Sequence, residues 1–407
     1  MINSIKDSIL AKSAELYPEI VRLRRHFHRY PELSYRETET SKFICRWLAD
    51  NGIPFRNNIA GTGIVAEVAG EKGGGCTVAV RAEMDALPVT ETNAVRYASV
   101  NSGIMHACGH DAHMAMAMGA AIVIKSIAGS TGGKALFIFQ PGEEKSPGGA
   151  KMMIDAGAFG NTKPDIIIAT HNLPGLKAGE AGYCAGSYLA SCDEIYITLT
   201  GKGGHAAIPH LTTDQIYIAS KLVTLLREKM ASHVKANNQP TVLGIGKISG
   251  EGATNIIPDK VEIAGTFRTF DNNWRREGIE LIKEIASECA AEHRVAINVS
   301  IEAGYPVLVN DEQLACRAVK LSEQLLGKEN VRILDTRMAS DDFSFYSALA
   351  PTLYYRTGME QTTAGGELRK LHTSEFDIDE NGMETGVANM SWLMFNFMSR
   401  IISFNKS

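Results

Sequence analysis

The sequence lacks any run of about eighteen uncharged apolar residues, the length that a helix needs to cross a bilayer. Residues 1–7 lack the basic-then-apolar pattern of a secretion signal. The formal net charge is only −5, which does not favour nucleic acid or anionic membrane as a partner. Cysteine is scarce: the seven cysteines are odd in number and scattered, unlike a disulfide framework. We therefore expect a cytoplasmic protein without nucleic-acid or membrane partners.

The chain is long enough for two domains, because 407 residues exceed what one hydrophobic core usually supports. Its first half alternates short apolar strands with helical patterns. The strands are predicted at 77–81, 135–139 and 165–169, and the helices at 111–128 and 149–156. Continuous apolar strands between helices favour an α/β fold, with a mainly parallel sheet covered by helices on both faces.

The middle of the chain has a different pattern. Polar and apolar residues alternate at 194–200 and 260–268, a third strand is predicted at 295–299, and helices are predicted at 213–233 and 275–293. This combination is typical of an antiparallel sheet with two helices on one face. We therefore predict an inserted α+β satellite domain at 190–303, within a catalytic domain formed by 1–189 and 304–407.

The returning chain is expected to complete the first domain. Its predicted elements are helices at 312–326, 342–349 and 382–402 and strands at 332–334 and 352–355.

The most informative motif is HACGHDAH at 106–113. Thiolate and imidazole are the ligands that zinc prefers. A helix would point Cys108 and His110 about 200° apart, so the motif is expected on a loop just before a helix. Asp111 is a natural N-cap for that helix. The alternative is a redox thiol with unrelated histidines nearby.

Polar residues follow three of the predicted strands, where parallel sheets collect their ligands. Glu83 and Asp85 follow the first strand, Glu143 and Glu144 the second, and His171 the third. The glutamate pair alone is also consistent with a solvated turn. Three such strand ends together with the Cys/His motif favour a functional site.

Seven sequence blocks occur in one order and cover nearly the whole chain. They are LRRHFH (23–28), RAEMDALP (81–88), HACGHDAH (106–113), FQPGEE (139–144), GKGGHAA (201–207), NIIPD (255–259) and LHT (371–373). Together they resemble the amidohydrolase branch of the aminoacylase/carboxypeptidase-G-type metallopeptidases. That branch includes hippurate hydrolases, N-acyl-amino-acid deacylases and plant auxin-conjugate hydrolases.

The resemblance implies two divalent metal ions per subunit, with five ligands: Cys108, His110, Glu144, His171 and His372. A thiolate, three imidazoles and a carboxylate form a plausible shell for two ions roughly 3.5–4 Å apart. Thiolate and imidazole favour zinc, while relatives also use manganese, cobalt or nickel. By themselves, His171 could be a capped strand end and His372 a surface histidine.

The resemblance also implies roles for residues that do not bind metal. Glu143 is the expected general base towards a metal-activated water, and Asp85 is expected to orient a ligand or tune the base. His106 and His113 match the motif's neighbourhood but not its ligand positions, so we interpret both as supporting or packing residues.

In the inserted domain, His205 matches a histidine that reaches an active site, typically that of the partner subunit, and would stabilise an oxyanion. Asn255 and Arg268 match positions associated with the substrate carboxylate, which arginine binds well in a bidentate fork. Without the resemblance, Arg268 fits a surface ion pair equally well. A homodimer, or a higher oligomer, follows from this assignment.

One residue departs from the family pattern, since Glu83 stands where the family usually has aspartate. Its extra methylene shifts the carboxylate by roughly one C–C bond length, which matters if the group supports the metals. The sequence thus predicts a metal-dependent amidohydrolase acting on N-acyl or N-aroyl amino acids or related small peptides. Alternatives are a dipeptidase, a diaminopimelate deacetylase, or a non-catalytic protein that binds amino-acid conjugates.

Overall fold

The structure is a computed structural model that describes residues 2–363 and 365–399. The helices are α1 (Ile2–Arg29), α2 (Thr38–Asp50), α3 (His110–Ser126), α4 (Gly149–Asp155), α5 (Gln215–Asn237), α6 (Asn272–His293), α7 (Glu312–Leu326) and α8 (Asn381–Met398). The strands of the first half are β1 (Phe55–Ile59), β2 (Gly63–Ala69), β3 (Thr77–Glu83), β4 (Lys134–Gln140), β5 (Ile166–Asn172), β6 (Ala181–Tyr183), β7 (Gly186–Leu189) and β8 (Asp193–Thr200). Those of the second half are β9 (Gly204–His205), β10 (Thr241–Gly250), β11 (Ile256–Ile257), β12 (Lys260–Thr269), β13 (Ala296–Ala303), β14 (Leu308–Asn310), β15 (Val331–Ile333) and β16 (Thr352–Thr357).

Within the described residues, the first of two compact units comprises 2–186, 309–335, 345–363 and 365–399. Over the described residues its sheet has the strand order β1-β2-β4-β3-β5-β16-β6-β15. The four central strands, β4, β3, β5 and β16, run parallel to one another, and β2 joins β4 in the antiparallel sense. The predicted α/β fold with a mainly parallel sheet is confirmed.

The central strands are buried along almost their whole length, as their continuous apolar sequence predicts. Helix α3 is rich in alanine and methionine and is buried on nearly every side, packed against α1 and α8. Among the described residues, no helix combines the length and the apolar character needed to span a membrane.

The second unit comprises Ser187–Leu308 and Thr336–Ser344. Its sheet, as described, has the order β10-β12-β8-β13, with all three pairings antiparallel. Strand β8 buries every second residue, including Ile195, Ile197 and Leu199, against α5 and α6. The predicted α+β architecture is therefore observed. That the inserted domain begins at 190 and ends at 303 remains a prediction.

Thr336–Ser344 packs with the second unit although the sequence analysis placed it in the first. The Ala190 N–H donates to the Ala339 carbonyl at 2.9 Å, and the Arg337 N–H donates to the Tyr188 carbonyl at 2.9 Å. Backbone hydrogen bonds of this kind do not require apolar side chains at regular spacing, so no sequence pattern predicts them.

Several elements were not predicted. Helices α1 and α2 and the strands β1, β2 and β10 are absent from the sequence analysis, and 342–349 forms a 3₁₀ helix at Asp342–Ala348. Strand β10 contains three glycines and is largely exposed, so it lacks the expected apolar alternation. Helix α8 ends at Met398, and the predicted helical positions 400–402 lie outside the described residues.

The prediction that Asp111 caps helix α3 is wrong. The helix begins at His110, one residue earlier, and Gly109 occupies the N-cap position. The Asp111 carboxylate instead accepts hydrogen bonds from Arg24 at 2.8 Å and from His28 at 2.8 Å. A buried guanidinium competes better for this carboxylate than the N–H groups of the first helical turn do.

Arg24 is the fully buried centre of an ionic network. Its guanidinium also contacts Asp377 at 2.7 Å and Glu380 at 3.2 Å. Burial raises the cost of charging Asp111, but Arg24 and His28 together lower its pKa far below the usual range. The network ties α1 to the start of α3 and to the chain that precedes α8.

Replacing Arg24 with methionine is expected to lower the free energy of unfolding by about 3–5 kcal/mol, because buried carboxylates would lose their counter-charge. Arg25→Met is the matched control: Arg25 also pairs with Glu380, but its side chain is 48% exposed. That change is expected to cost about 0–1 kcal/mol. Denaturant titration followed by fluorescence measures both, and equal losses in the two variants would contradict this account.

Candidate metal centre

The parallel strands bring three polar strand ends to one edge of the sheet. Glu83 ends β3 and lies in register with Gln140, the last residue of β4. The turn at 141–148 that follows β4 carries Glu143 and Glu144. His171 lies within β5, opposite Arg356 of β16.

The Cys108–His110 pair lies at the junction of a loop and α3, as predicted. The residue between them, Gly109, has φ +94°, and a Cβ there would meet the Asn172 side-chain oxygen at 2.4 Å. Only glycine accepts this left-handed backbone and this close approach. The turn therefore lets Cys108 and His110 face the same side of the junction.

The five predicted ligands come together in two overlapping groups. Cys108 Sγ lies 3.3 Å from His171 Nε2 and 3.4 Å from His372 Nε2. Cys108, His110 and His171 form one group whose ligand atoms all lie within 4.8 Å of one another. Cys108, Glu144 and His372 form a second group by the same measure. Cys108 thus belongs to both groups and could contact two ions.

The imidazoles are oriented for metal binding. His110 Nδ1 lies 2.9 Å from the Asp85 carbonyl, and His171 Nδ1 lies 2.7 Å from the Asn172 carbonyl. A carbonyl only accepts hydrogen bonds, so each Nδ1 carries the proton and each Nε2 keeps its lone pair for a metal.

Two buried ligand atoms have no hydrogen-bond partner within the described part of the chain: His110 Nε2 and Glu144 Oε1. Glu144 Oε1 lies 3.2 Å from His372 Nε2. A buried polar atom without a partner costs free energy, and a bound cation would relieve that cost at both atoms. The residues present therefore fit two divalent ions, and thiolate with imidazole fits zinc.

The backbone at His372 is strained. This residue has φ +63°, a region that few non-glycine residues occupy. Its N–H donates to the Ala107 carbonyl at 2.7 Å, next to Cys108. Such strain persists where the surrounding structure enforces it, often at ligand sites. This hydrogen bond brings His372 to the motif from a distant part of the chain.

Asp85 connects the two ligand groups without belonging to either. One carboxylate oxygen accepts from the Glu144 N–H at 2.9 Å and from Ser34 Oγ at 2.7 Å. The other lies 3.4 Å from His110 Nδ1. Burial opposes ionisation, but the hydrogen bond and charge of His110 prevail, so the pKa of Asp85 is lowered. These contacts fit the predicted supporting role.

Glu143 lies beside the ligands and is almost fully buried, with 8% of its surface exposed. A carboxylate oxygen of Glu143 lies within 4.8 Å of ligand atoms of His110 and Glu144. Its neighbour Glu144 belongs to the group with Cys108 and His372, so the two adjacent carboxylates have different surroundings. This arrangement suits one metal ligand and one nearby base.

Glu83 belongs to neither of the two ligand groups that share Cys108 and contacts residues outside them. Its carboxylate pairs with Arg81 and lies 2.9 Å from His113 Nδ1, while His113 Nε2 lies 3.0 Å from the Asn172 side-chain oxygen. Burial, with the nearby charges of His110 and Arg81, holds the pKa of His113 well below its usual range. The longer carboxylate therefore contacts Arg81 and His113, and the contacts of His113 with Glu83 and Asn172 fit the predicted supporting role.

His106 is fully buried, and burial lowers its pKa to about 3. Its ring nitrogens have no hydrogen-bond partner within the described residues. It belongs to neither of the two ligand groups that share Cys108.

Burial also holds the pKa of His171 well below its usual range, with further contributions from His113 and Arg356. His110 differs, because burial is outweighed by the hydrogen bond and charge of Asp85, which raise its pKa. A proton at His110 therefore competes with a metal, and metal affinity should fall as the pH is lowered.

The three remaining predicted residues lie in the second unit. Strands β9 and β11 pair His205 with Ile256, and the Ala206 N–H donates to the Asn255 carbonyl at 2.9 Å. His205 is exposed, so its ring is accessible. Arg268 donates to the Met338 carbonyl at 3.1 Å, and within the described residues it has no carboxylate partner. The surface ion pair considered for Arg268 is therefore not formed.

Sequence reasoning missed the backbone and side-chain partners that orient the ligands, notably Asn172 and Ser34. Asn172 follows a predicted ligand directly, which is a usable signal. Ser34 lies outside the seven sequence blocks, so no motif pointed to it.

Comparison with known proteins agrees with this geometry. Residues 79–394 match the profile of Peptidase family M20/M25/M40. The chain is 35% identical over 393 residues to the N-acetyl-L-cysteine deacetylase of Bacillus subtilis, covering 96% of this chain and 90% of that protein. It is 35% identical over 308 residues to the N-acyl-L-amino acid amidohydrolase of Geobacillus stearothermophilus, covering 76% and 82%. The crystal structure of Bacillus subtilis YXEP protein, a dinuclear metal binding peptidase from the M20 family, superposes with a TM-score of 0.82 at 27% identity, covering 95% and 100%.

If Cys108 serves both ions, Cys108→Ser should weaken both binding steps, whereas His171→Ala and His372→Ala should each weaken one. Removing a polar partner that orients a metal ligand costs roughly 10–100-fold in metal affinity. Removing a ligand itself should cost at least as much in each affected step. Calorimetric titration of the metal-free protein with zinc measures the two steps. Cys45→Ser, a half-buried cysteine outside the site, is the control. A Cys108→Ser protein that still binds one ion with full affinity would disprove the shared ligand.

Proposed function

The chain belongs to peptidase family M20/M25/M40 and is a metal-dependent amidohydrolase, as its sequence motifs predict, and we propose that it hydrolyses N-acyl amino acids. The observation that carries this proposal is the unequal pair of neighbouring glutamates. Glu144 groups with Cys108 and His372, while Glu143 lies beside these residues as a buried carboxylate that can serve as a base. A protein that only binds conjugates has no use for such a base.

Each residue has a step in the proposed reaction. Two bound divalent ions would supply Lewis-acid chemistry, polarising the scissile carbonyl and lowering the pKa of a nearby water. Glu143 takes a proton from the attacking water as the new C–O bond forms. Protonated Glu143 then delivers that proton to the leaving nitrogen as the C–N bond breaks. One water is consumed, and a carboxylic acid and an amine are released. Asp85 holds His110 and the Glu144 backbone in place throughout.

The second unit supplies the proposed substrate contacts. Asn255 and Arg268 would bind the substrate carboxylate, which suits a guanidinium that has no carboxylate partner of its own. His205 is exposed and would stabilise the oxyanion in the site of a partner subunit, which makes the working form a homodimer. Zinc is the proposed ion because of the thiolate and imidazole ligands. A cytoplasmic location is proposed because none of the seven cysteines forms a disulfide.

The acyl group separates this proposal from its alternatives. A panel of N-acetyl, N-benzoyl and indole-acyl amino acids, dipeptides and N-acetyl-diaminopimelate, each tested with zinc, manganese, cobalt and nickel, should show turnover of N-acyl amino acids above the others. Preferential cleavage of dipeptides or of the diaminopimelate derivative would assign a different member of the same family.

Glu143→Gln keeps the shape of the side chain and removes the base. We expect kcat to fall by roughly 10²–10⁴-fold while metal content is retained. Glu144→Gln should instead lose metal, because it removes the charge of a ligand. Elemental analysis and steady-state kinetics on both proteins measure this contrast, and exchanged phenotypes would reverse the roles of the two glutamates.

Two inactive variants should complement each other if His205 serves the partner's site. In a mixed dimer of His205→Ala and Glu143→Ala chains, one site takes Glu143 and the metals from one chain and His205 from the other. About half of the dimers are mixed after random exchange, each with one intact site, so activity should approach roughly one quarter of wild type. Subunit exchange is verified by tagging one chain. Exchange without recovered activity would place His205 in its own chain's site or outside catalysis.

A further inference from the structure

The turn at 141–148, which carries Glu143 and Glu144, contacts a short segment of the chain at residues 34–37. This segment lies between α1 and α2 and contains no candidate metal ligand. Neither the ligand set nor the proposed reaction assigns it a role. Three separate contacts nevertheless connect it to the turn.

The first contact is the Tyr35 side chain. Its hydroxyl donates to the Lys145 carbonyl and accepts from the Gly148 N–H at 3.2 Å. Its ring lies against Gly142, where a Cβ would come within 2.1 Å of the ring, and Gly142 has φ +60°. Tyr35 thus touches the turn on both sides of the two glutamates. Tyr35 itself has φ +66°, a strained conformation that the surrounding contacts must enforce.

The second contact is the Glu37 carboxylate. One oxygen accepts from the Gly142 N–H at 2.9 Å and from the Tyr35 N–H at 2.8 Å. The other accepts from Thr62 Oγ1 at 2.8 Å. Burial raises the pKa of Glu37 to about 7, so the site tolerates a neutral side chain of the same shape. Its contribution is the set of accepted hydrogen bonds more than the charge.

The third contact passes through Asp85. Ser34 Oγ and the Glu144 N–H donate to the same oxygen of Asp85, at 2.7 Å and 2.9 Å. The backbone of a candidate ligand is therefore fixed by a carboxylate that Ser34 orients. The segment 34–37 thus contacts the turn directly at Gly142, Lys145 and Gly148, and reaches Glu144 through Asp85.

We propose that residues 34–37 are a positioning element. Through Tyr35 and Glu37 they hold the Glu143–Glu144 turn so that Glu144 meets the second metal ion, the one bound together with Cys108 and His372. In this respect the inference rests only on the metal site. Its extension to catalysis, that the same contacts place Glu143 for proton transfer, rests on the proposed function.

The test for Tyr35 removes only the hydroxyl. Tyr35→Phe keeps the ring against Gly142 and deletes two hydrogen bonds to the turn. Tyr17→Phe is the matched control, since its hydroxyl contacts Asn381, outside the turn, at 3.1 Å. Metal-free protein is titrated with Co²⁺, whose visible bands report its ligand geometry. We expect the second Co²⁺ to bind about 10–100-fold more weakly to Tyr35→Phe, with the first step and the control unchanged. Equal second-step affinities in the wild type and Tyr35→Phe would overturn the proposal.

Glu37 provides a conservative rescue. Glu37→Gln keeps the acceptor oxygen for the Gly142 and Tyr35 N–H groups, so its second Co²⁺ step should stay close to wild type. Glu37→Ala removes the acceptor and should weaken that step as Tyr35→Phe does. Circular dichroism and denaturant midpoints confirm that each variant is folded. If Glu37→Gln and Glu37→Ala lost the same affinity for the second Co²⁺, the proposal that Glu37 positions the turn through its accepted hydrogen bonds would be wrong.

Activity separates this inference from the proposed function. If wild-type protein hydrolyses N-acyl amino acids, Tyr35→Phe saturated with metal should lose kcat with little change in KM. If no such substrate is hydrolysed but the Co²⁺ steps change as described, the positioning role stands and the proposed function fails. If hydrolysis is normal in Tyr35→Phe and the Co²⁺ steps are unchanged, the positioning role fails and the proposed function stands.

Discussion

The site depends on one buried sulfur. Cys108 Sγ lies close to imidazole nitrogens from β5 and from the loop before α8, and it belongs to both groups of ligand atoms. Three of the four other candidate ligands are placed near this atom: His110 by the Gly109 turn, His171 by its strand and His372 by a backbone hydrogen bond to Ala107. A cysteine sulfur close to three imidazoles and a carboxylate is a donor set that suits cations bound between them.

The rest of the first unit serves to keep these ligands in place. The parallel sheet fixes the strand ends, and Arg24 anchors the start of α3 through Asp111. Backbone carbonyls of Asp85 and Asn172 fix the imidazoles of His110 and His171 by their Nδ1 atoms. Because a metal site tolerates little displacement of its ligands, such support is expected to be as important to affinity as the ligands themselves.

Much of this could be predicted from the sequence, and the reasons are physical. Strands such as β3 and β5 are continuous apolar runs because both of their faces are buried, so their positions and the parallel sheet were predictable. The motif at 106–113 concentrates soft ligands, which made Cys108 and His110 recognisable. Residues such as His372 became predictable only through resemblance to a family, because a lone histidine carries no local signal.

Other features were beyond the sequence. Strand β10 is glycine-rich and exposed, so it gave no periodic pattern. The role of Asp111 depended on a buried arginine 87 positions away, which no local rule for helix caps can include. The consequence of Glu83 was likewise open until its carboxylate was seen to reach Arg81 and His113, behind the ligands.

The central claim is that two ions held by the Cys108 site perform the hydrolysis of an N-acyl amino acid. Its most direct test is to strip the protein with a chelator, verify the loss by elemental analysis, and follow hydrolysis of an N-acetyl amino acid as zinc, manganese or cobalt is added back. The account predicts no turnover without metal and recovery that is complete at two ions per chain. Full activity in protein shown to be free of metal would contradict it.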